Sequence, residues 1–313
     1  MTAETIETAT APGGEWKRAG LLFLAVVMLS VAPAGLMVAV PLLVMIGVGG
    51  IRRLPQFLAT AVAMVFLLVG ARDGMWYVYR AWALMVGGMF AALAIGVPSW
   101  RLTSKLVASV GGTVAVWFGL LGLRREAWAT LDWTVGDQLR AGYSTWMQVM
   151  MVMRDGEPIP PAIASGLYRT IEVQASMYPA MVALESVAAL GVAWWLYVRL
   201  VHRGTDGLGP FGAFRFNDHL IWLMIAGLLL MVVPGDGGIS RIGANVAAFM
   251  AGLYAFRGGA VVAFVSGGVS FAGSVLIAIG FLLAAPFLLG FALFLGIADT
   301  WLDLRARVAQ TAA

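Results

Sequence analysis

Residues 258–298 run without a single charged side chain, and no other feature of the sequence restricts the fold as severely. As one helix they would extend about 60 Å at ~1.5 Å per residue, twice the roughly 30 Å of a bilayer's hydrocarbon core. The run must therefore cross, turn back between Ala272 and Pro286, and cross again. Residues 19–51, 54–71 and 106–123 are likewise free of charge. Charged residues make up 12% of the chain, about half of the roughly 25% usual in soluble domains. The apolar runs are continuous, whereas a β-barrel needs short segments of alternating polarity. The expected fold class is all-α: a polytopic transmembrane helical bundle of about eight to ten spans, counted from runs long enough to cross.

Charges between the runs set the threading. Expected spans are 54–69, 81–98, 106–122, 178–198, 220–233 and 242–256, with two more from 258–298. Residues 20–50 carry Pro33, Gly35 and Pro41 and read as a hairpin or re-entrant pair. With that pair in place, Lys17, Arg18, Arg52, Arg53, Arg101, Lys105, Arg199, Arg203, Arg215, Arg257, Arg305 and Arg307 all fall on one side. The other side receives Arg72, Arg80 and Arg241 with Asp73 and Asp236, and residues 123–177, where five Arg face six Asp or Glu. The positive set belongs in the cytoplasm, which places both termini there. Lys17, Arg18 and Ala32-Pro33-Ala34 imitate a signal peptide, but the apolar run continues past the would-be cleavage site through Val48. The expected organisation is a disordered tail over 1–18, an N-terminal membrane bundle over 19–122, and an extracytoplasmic amphipathic helical segment over 123–177. A C-terminal bundle over 178–304 and a cytoplasmic tail over 305–313 follow.

Within 123–177, Trp128, Leu131, Val135, Leu139, Tyr143, Trp146, Met150 and Met153 recur at three- and four-residue steps and form one apolar helical face. That helix should stop at Asp155-Gly156, before "EPIPP", and a shorter amphipathic segment with Ile163, Leu167 and Ile171 should follow. The pair reads as an interfacial cover, serving as packing, as a lid, or as a partner-binding surface. Residues 199–219 hold Phe211, Phe214 and Phe216 beside Arg215, an expected interfacial anchor without the glycine pattern of a phosphate loop.

Catalytic chemistry finds little to stand on. His202 and His219 are the only histidines, and their spacing with Asp206 and Asp218 fits no recognised metal site. No nucleophile elbow, zinc-protease motif or paired intramembrane carboxylates occur, so no enzyme activity, metal or cofactor is expected. The formal charge of +4 is spread along the chain, which excludes a nucleic-acid surface. Glu185 is the one acid well inside an expected span, where an ionisable group is either functional or specifically accommodated. It reads as a ligand- or proton-binding carboxylate, or else as a structural contact, with Arg80 and Arg241 as candidate partners. Asn245 is the second candidate ligand-binding residue, one turn inside its helix. Arg257 reads as a boundary anchor at the cytoplasmic end of 242–256, followed by a turn at Gly258-Gly259, with Asp299 and Asp303 as its ion-pair partners. Gly259, Ala263 and Gly267 repeat every four residues and suggest a close helix approach. Gly111, Gly112 and Gly119 suggest another, and a homodimer seam is the sharper reading of either.

"FRFNDHLIWLMIAGLLLMV", "GANVAAFMAGLYAFRGGAVVAFV" and "FLGIADTWLDLRAR" in the C-terminal third resemble the YybS-like family of bacterial polytopic membrane proteins, a family of unknown function. The Pro-broken first hairpin and "GVGGIRR" look like the substrate-binding subunits of energy-coupling-factor vitamin transporters. Their first-helix Ala-x-x-x-Ala pattern for docking is not kept, because Leu29 stands four residues after Ala25. The resemblance implies a multi-pass protein of the bacterial inner membrane, with small-molecule binding or transport by analogy. A separate energising partner would be needed, since no ATP-binding motif is present. The alternative is a non-catalytic scaffold for cell-envelope or division partners.

Overall fold

The computed structural model describes residues 12–30, 32–49, 54–67, 74–122, 124–155, 160–200, 211–234, 238–267 and 271–311. All regular structure among them is helical: α1 (Pro12–Ser30), α2 (Pro33–Val48), α3 (Leu54–Leu67), α4 (Gly74–Gly96), α5 (Leu102–Gly122) and α6 (Arg125–Met153) come first. α7 (Pro161–Leu200), α8 (Ile221–Val232), α9 (Gly238–Val265), α10 (Phe271–Leu302) and α11 (Leu304–Thr311) follow, with 3₁₀ turns at Phe211–Ala213 and Asp218–Leu220. Five helices among the described residues are long and apolar enough to cross a membrane: Gly74–Gly96, Leu102–Leu120, Pro161–Leu200, Gly238–Val265 and Leu282–Leu302. Ala34–Val48, Phe57–Leu67 and Asp218–Val232 are apolar but shorter. The chain is thus an all-α polytopic membrane helical bundle, with five full-length candidate spans and three shorter apolar helices among the described residues.

Two compact units divide the chain. The first holds the described residues of 1–100, 105–114 and 186–207. Ala32 is extended at φ −112° and ψ 146°, as the residue before a proline prefers, so residues 20–50 do break into two helices at Pro33. α1 lies against α2 and α3, and α2 against α4. A Cβ on Gly87 would stand 2.8 Å from Pro41 Cα, so only glycine lets α4 pass the proline of α2. Val26, Ala39, Leu42, Phe90 and Leu190 are fully buried here. Trp82 donates to Ser186 Oγ at 2.8 Å, and Phe90 meets the edge of Trp194. α1 begins at Pro12 and carries Lys17 and Arg18 within the helix, so helical structure reaches into the tail expected over 1–18. Arg52, Arg53, Arg72 and Asp73 lie outside the described residues.

The second unit holds the described residues of 101–104, 115–185 and 208–313. α6 forms where its apolar periodicity predicts and ends at Met153, with Asp155 left-handed at φ 52°. Its inward face stacks Trp128 on Phe118 and buries Val135, and Tyr143 donates to Gln174 Oε1 at 3.1 Å. Trp146 and Met153, expected on that face, are exposed. The second amphipathic segment is not separate: α7 runs unbroken from Pro161 through Pro179 to Leu200. α9 likewise overruns its expected end and continues to Val265, so the chain does not turn at Gly258-Gly259. It turns after Val265, where Gly267 is left-handed at φ 69°, and α10 then starts at Phe271, ahead of the expected 272–286 turn. That region instead carries a kink: Ala284 leaves the helical region at φ −144°, two residues before Pro286. A proline cannot donate within the ladder, and two helical stretches meet at this break, inside the expected 272–286 window, with a Cβ on Gly280 only 3.1 Å from Leu288 Cδ1.

Candidate functional site

The ends of α9 and α10 meet almost backbone to backbone. A Cβ on Gly258 would fall 1.8 Å from Ala292 O, and one on Gly296 would fall 1.9 Å from Tyr254 O. No side chain separates the helices there, so Arg257 and Asp299, beside those glycines in sequence, are forced together. The close approach uses Gly258 and Gly296, one register away from the expected Gly259–Ala263–Gly267 face. A Cβ on Gly259 would meet the Phe211 ring at 3.7 Å instead. Gly112 lies against Met89 at 3.2 Å, while nothing lies within 4 Å of a Cβ on Gly111 or Gly119.

Arg257 is 0% exposed, and so is Asp299. Arg257 Nε donates to Asp299 Oδ2 at 2.9 Å and its Nη2 to Asp299 O at 3.3 Å. Its Nη1 donates to Asp218 Oδ1. Asp299 Oδ2 is shared with Arg305 Nη2 at 2.8 Å, and Arg305 Nη1 reaches Gly212 O and Phe214 O, each at 3.0 Å. Arg215 completes the group, with Nη1 3.2 Å from Asp303 Oδ1 and Nη2 3.7 Å from Asp218 Oδ2. Three arginines therefore balance three aspartates, as a low-dielectric site requires. Phe216 covers Arg257 with its ring centroid 5.6 Å from the guanidinium carbon. Arg257 is thus an internal tie within α9 rather than a residue at a helix end. Asp299 is its partner, whereas Asp303, expected as a second, pairs with Arg215. The sequence reading missed Asp218, Arg215 and Arg305 as members. The available signal was Gly296 three residues before Asp299, which puts a close-contact glycine and an acid on one face.

Asn245 occupies a different junction. Pro179 lacks an N–H, so Ala175 O loses its helical donor, and α9 supplies side-chain partners to Ala175 O, Ser176 O and Ala180 N. Arg241 Nη2 donates to Ala175 O at 3.1 Å. Asn245 Nδ2 donates to Ser176 O at 2.8 Å and to Arg241 O at 2.9 Å, while Asn245 Oδ1 accepts from Ala180 N at 2.9 Å. Arg241 is held in turn by Asp132 of α6. Asn245 thus spends both donors and its carbonyl on backbone, as a splint for α7. A cavity of about 30 Å³ beside it is lined by Trp128, Asp132, Val135, Tyr178 and Arg241, among others.

Glu185 lies in α7 between Pro179 and Leu200 and is partly buried. It makes no hydrogen bond or ion pair among the described residues. Its expected partners are engaged elsewhere: Arg241 with Asp132, and Arg80 with Leu67 O at 2.6 Å and the Trp76 ring. No group of three potential metal ligands occurs among the described residues. His219 sits in a turn, its amide donating to Asn217 Oδ1 at 3.0 Å, and His202 and Asp206 lie outside the described residues. A larger cleft of about 740 Å³ opens beside the arginine cluster, between Phe211, Ala263, Phe264, Asp303, Arg305 and Ala306.

Residues 19–300 match the family described as "Predicted membrane protein (DUF2232)". The matched stretch takes in Glu185, Asn245, Arg257 and Asp299 and stops short of Asp303 and Arg305. No curated protein and no solved structure matches the chain. With nine-tenths of its length covered, from α1 to the buried Asp299, the chain belongs to the DUF2232 family of membrane proteins.

Proposed function

We propose that this protein binds a small molecule within the bacterial inner membrane and takes part in its transport, with Glu185 as the residue that contacts the ligand. The observation that carries this reading is the carboxylate of Glu185, inside an apolar span with no partner among the described residues. An ionisable group at such a position costs several kcal/mol unless something neutralises it, and a cationic or hydrogen-bond-donating ligand is one such agent. The broken α10 agrees with it, since interrupted helices free backbone groups next to transport sites. Asn245 drops out of the ligand set because its polar atoms are committed to α7. The chain itself is read as non-catalytic, with both termini cytoplasmic and any ATP-driven step supplied by a separate subunit. The resemblance to YybS-like proteins and to energy-coupling-factor substrate-binding subunits points the same way.

A second reading, a scaffold for envelope-synthesis partners or a homodimer, is favoured by the bareness of α10, where Leu282, Leu283 and Phe287 are 79–85% exposed. Purification in mild detergent followed by native mass spectrometry separates the two. A small-molecule adduct that disappears in Glu185→Gln, with the protein still folded, supports the ligand site. Protein partners or dimers in both forms, with no adduct in either, refute it.

A further inference from the structure

The cleft of about 740 Å³ has a composition that neither the buried ion pairs nor Glu185 explains. We infer that it is a binding site for the phosphate headgroup of an anionic phospholipid, with Arg215 as the phosphate ligand.

Position comes first. One wall is the last turn of α9, including Ala263 and Phe264, and α9 is a candidate membrane span through Val265. The cleft therefore opens where that span leaves the hydrocarbon, at headgroup level. The opposite wall is the N-terminal half of α11, with Asp303, Arg305 and Ala306. The 211–215 turn closes the third side, and Phe211 and Phe264 are 54% and 41% exposed. Small and aromatic residues below and arginines above match a glycerol backbone and acyl chain under a charged head.

The lining charges are Arg215, Arg305 and Asp303; Asp299 neutralises Arg305, which leaves Arg215 as the cation open to a ligand, opposed by Asp303. Arg305 forms the floor, tied to Asp299 and to two carbonyls, and is 8% exposed. Arg215 is free to engage: its side chain is 32% exposed, one nitrogen lies 3.7 Å from Asp218, and its closest partner is Asp303, itself 48% exposed. An exposed pair of this kind contributes at most about 1 kcal/mol. A phosphate that takes two guanidinium N–H groups side by side makes a stronger, bidentate contact. Asp303 then acts as the resident competitor, which a bound phosphate displaces. A zwitterionic headgroup gains less, because its own ammonium group competes with Arg215 for the phosphate oxygens.

The test is native mass spectrometry of the full chain, titrated with phosphatidylglycerol, phosphatidylcholine or glycerol phosphate. The expected result is at least a fivefold preference for phosphatidylglycerol over phosphatidylcholine. Arg215→Gln should abolish the preference, Asp303→Asn should strengthen it, and Ala306→Phe, which fills the cleft, should lower binding of phosphatidylglycerol. The two charge variants change binding in opposite directions, which a general loss of folding cannot do. Equal binding of both lipids, or the same preference in wild type and Arg215→Gln, overturns the proposal. Glycerol phosphate binding as tightly as the lipid overturns the lipid as occupant and assigns the cleft to a soluble phosphate. Glu185→Gln leaves all of these results unchanged, so the outcome is independent of the ligand site proposed in α7.

Discussion

Replacing Asn245 with Ala removes the splint at Pro179 and should cost more than an ordinary polar truncation. Two interhelical hydrogen bonds disappear, to Ser176 O and from Ala180 N. Such bonds in membrane proteins average about 0.6 kcal/mol each. The larger cost is asymmetric. Ser176 O keeps a long bond to Arg241 Nε at 3.4 Å, but Ala180 N is left with no acceptor. A buried donor left alone costs about 1–3 kcal/mol, which brings the expected total to about 2–4 kcal/mol. Asn245→Asp is instructive beside it, because it keeps the acceptor for Ala180 N and loses both donors. The decisive experiment is a double-mutant cycle with Pro179→Ala, measured by thermal unfolding in detergent. An alanine at 179 restores a donor for Ala175 O, so the splint has less to repair. Asn245→Ala should then cost at least 1 kcal/mol less in the Pro179→Ala background, a coupling typical of groups sharing one network. Hydrogen exchange of the Ala180 amide should accelerate in Asn245→Ala alone. Equal costs in the two backgrounds, with unchanged exchange at Ala180, would refute the repair argument.

Asp299→Asn leaves two buried guanidinium groups facing a neutral amide, and breaking a buried pair on one side costs about 3–5 kcal/mol; unfolding in detergent measures it, and a loss below 1 kcal/mol contradicts the burial. Gly296→Ala drives a methyl group against Tyr254 O, so a loss of about 1–3 kcal/mol is expected from overpacking, whereas Gly290→Ala, with open space at its Cβ position, should be neutral in the same melt. Glu185→Gln should leave thermal stability unchanged or raise it, since the amide relieves an unpartnered carboxylate in an apolar span; a large destabilisation would reveal a structural contact and remove the basis of the ligand assignment.

The membrane class was legible because charge-free runs leave no alternative, and the first helical break was legible because Pro33 pushes the residue before it out of the helical region into an extended conformation. The α6 helix was legible for a similar reason: its apolar residues repeat at helical spacing and its stop is a run of Asp, Gly and Pro. Failure came wherever a local signal was overruled by a distant partner. The amphipathic segment with Ile163, Leu167 and Ile171 read as separate from the span over 178–198, yet Arg241 and Asn245 supply hydrogen bonds beside Pro179 and α7 continues. Gly258-Gly259 looked like a turn, yet Gly258 is consumed by contact with Ala292 O. Arg257 looked like an edge residue even with Asp299, 42 positions on, as an expected partner, because the second acid, Asp218, 39 positions before it, gave no local signal. Sequence periodicity records what a residue costs in isolation, and the partner that offsets that cost becomes visible only when helices are packed.

Those same separations set a schedule for insertion. Asp218 is made before Arg257 and can accompany it into the bilayer, so the guanidinium never needs to enter unaccompanied. Asp299 leaves the ribosome 42 residues later, roughly 2–8 s at synthesis rates of 5–20 residues per second. During that interval α9 depends on Asp218 alone, and arrival of the last helix closes the triangle.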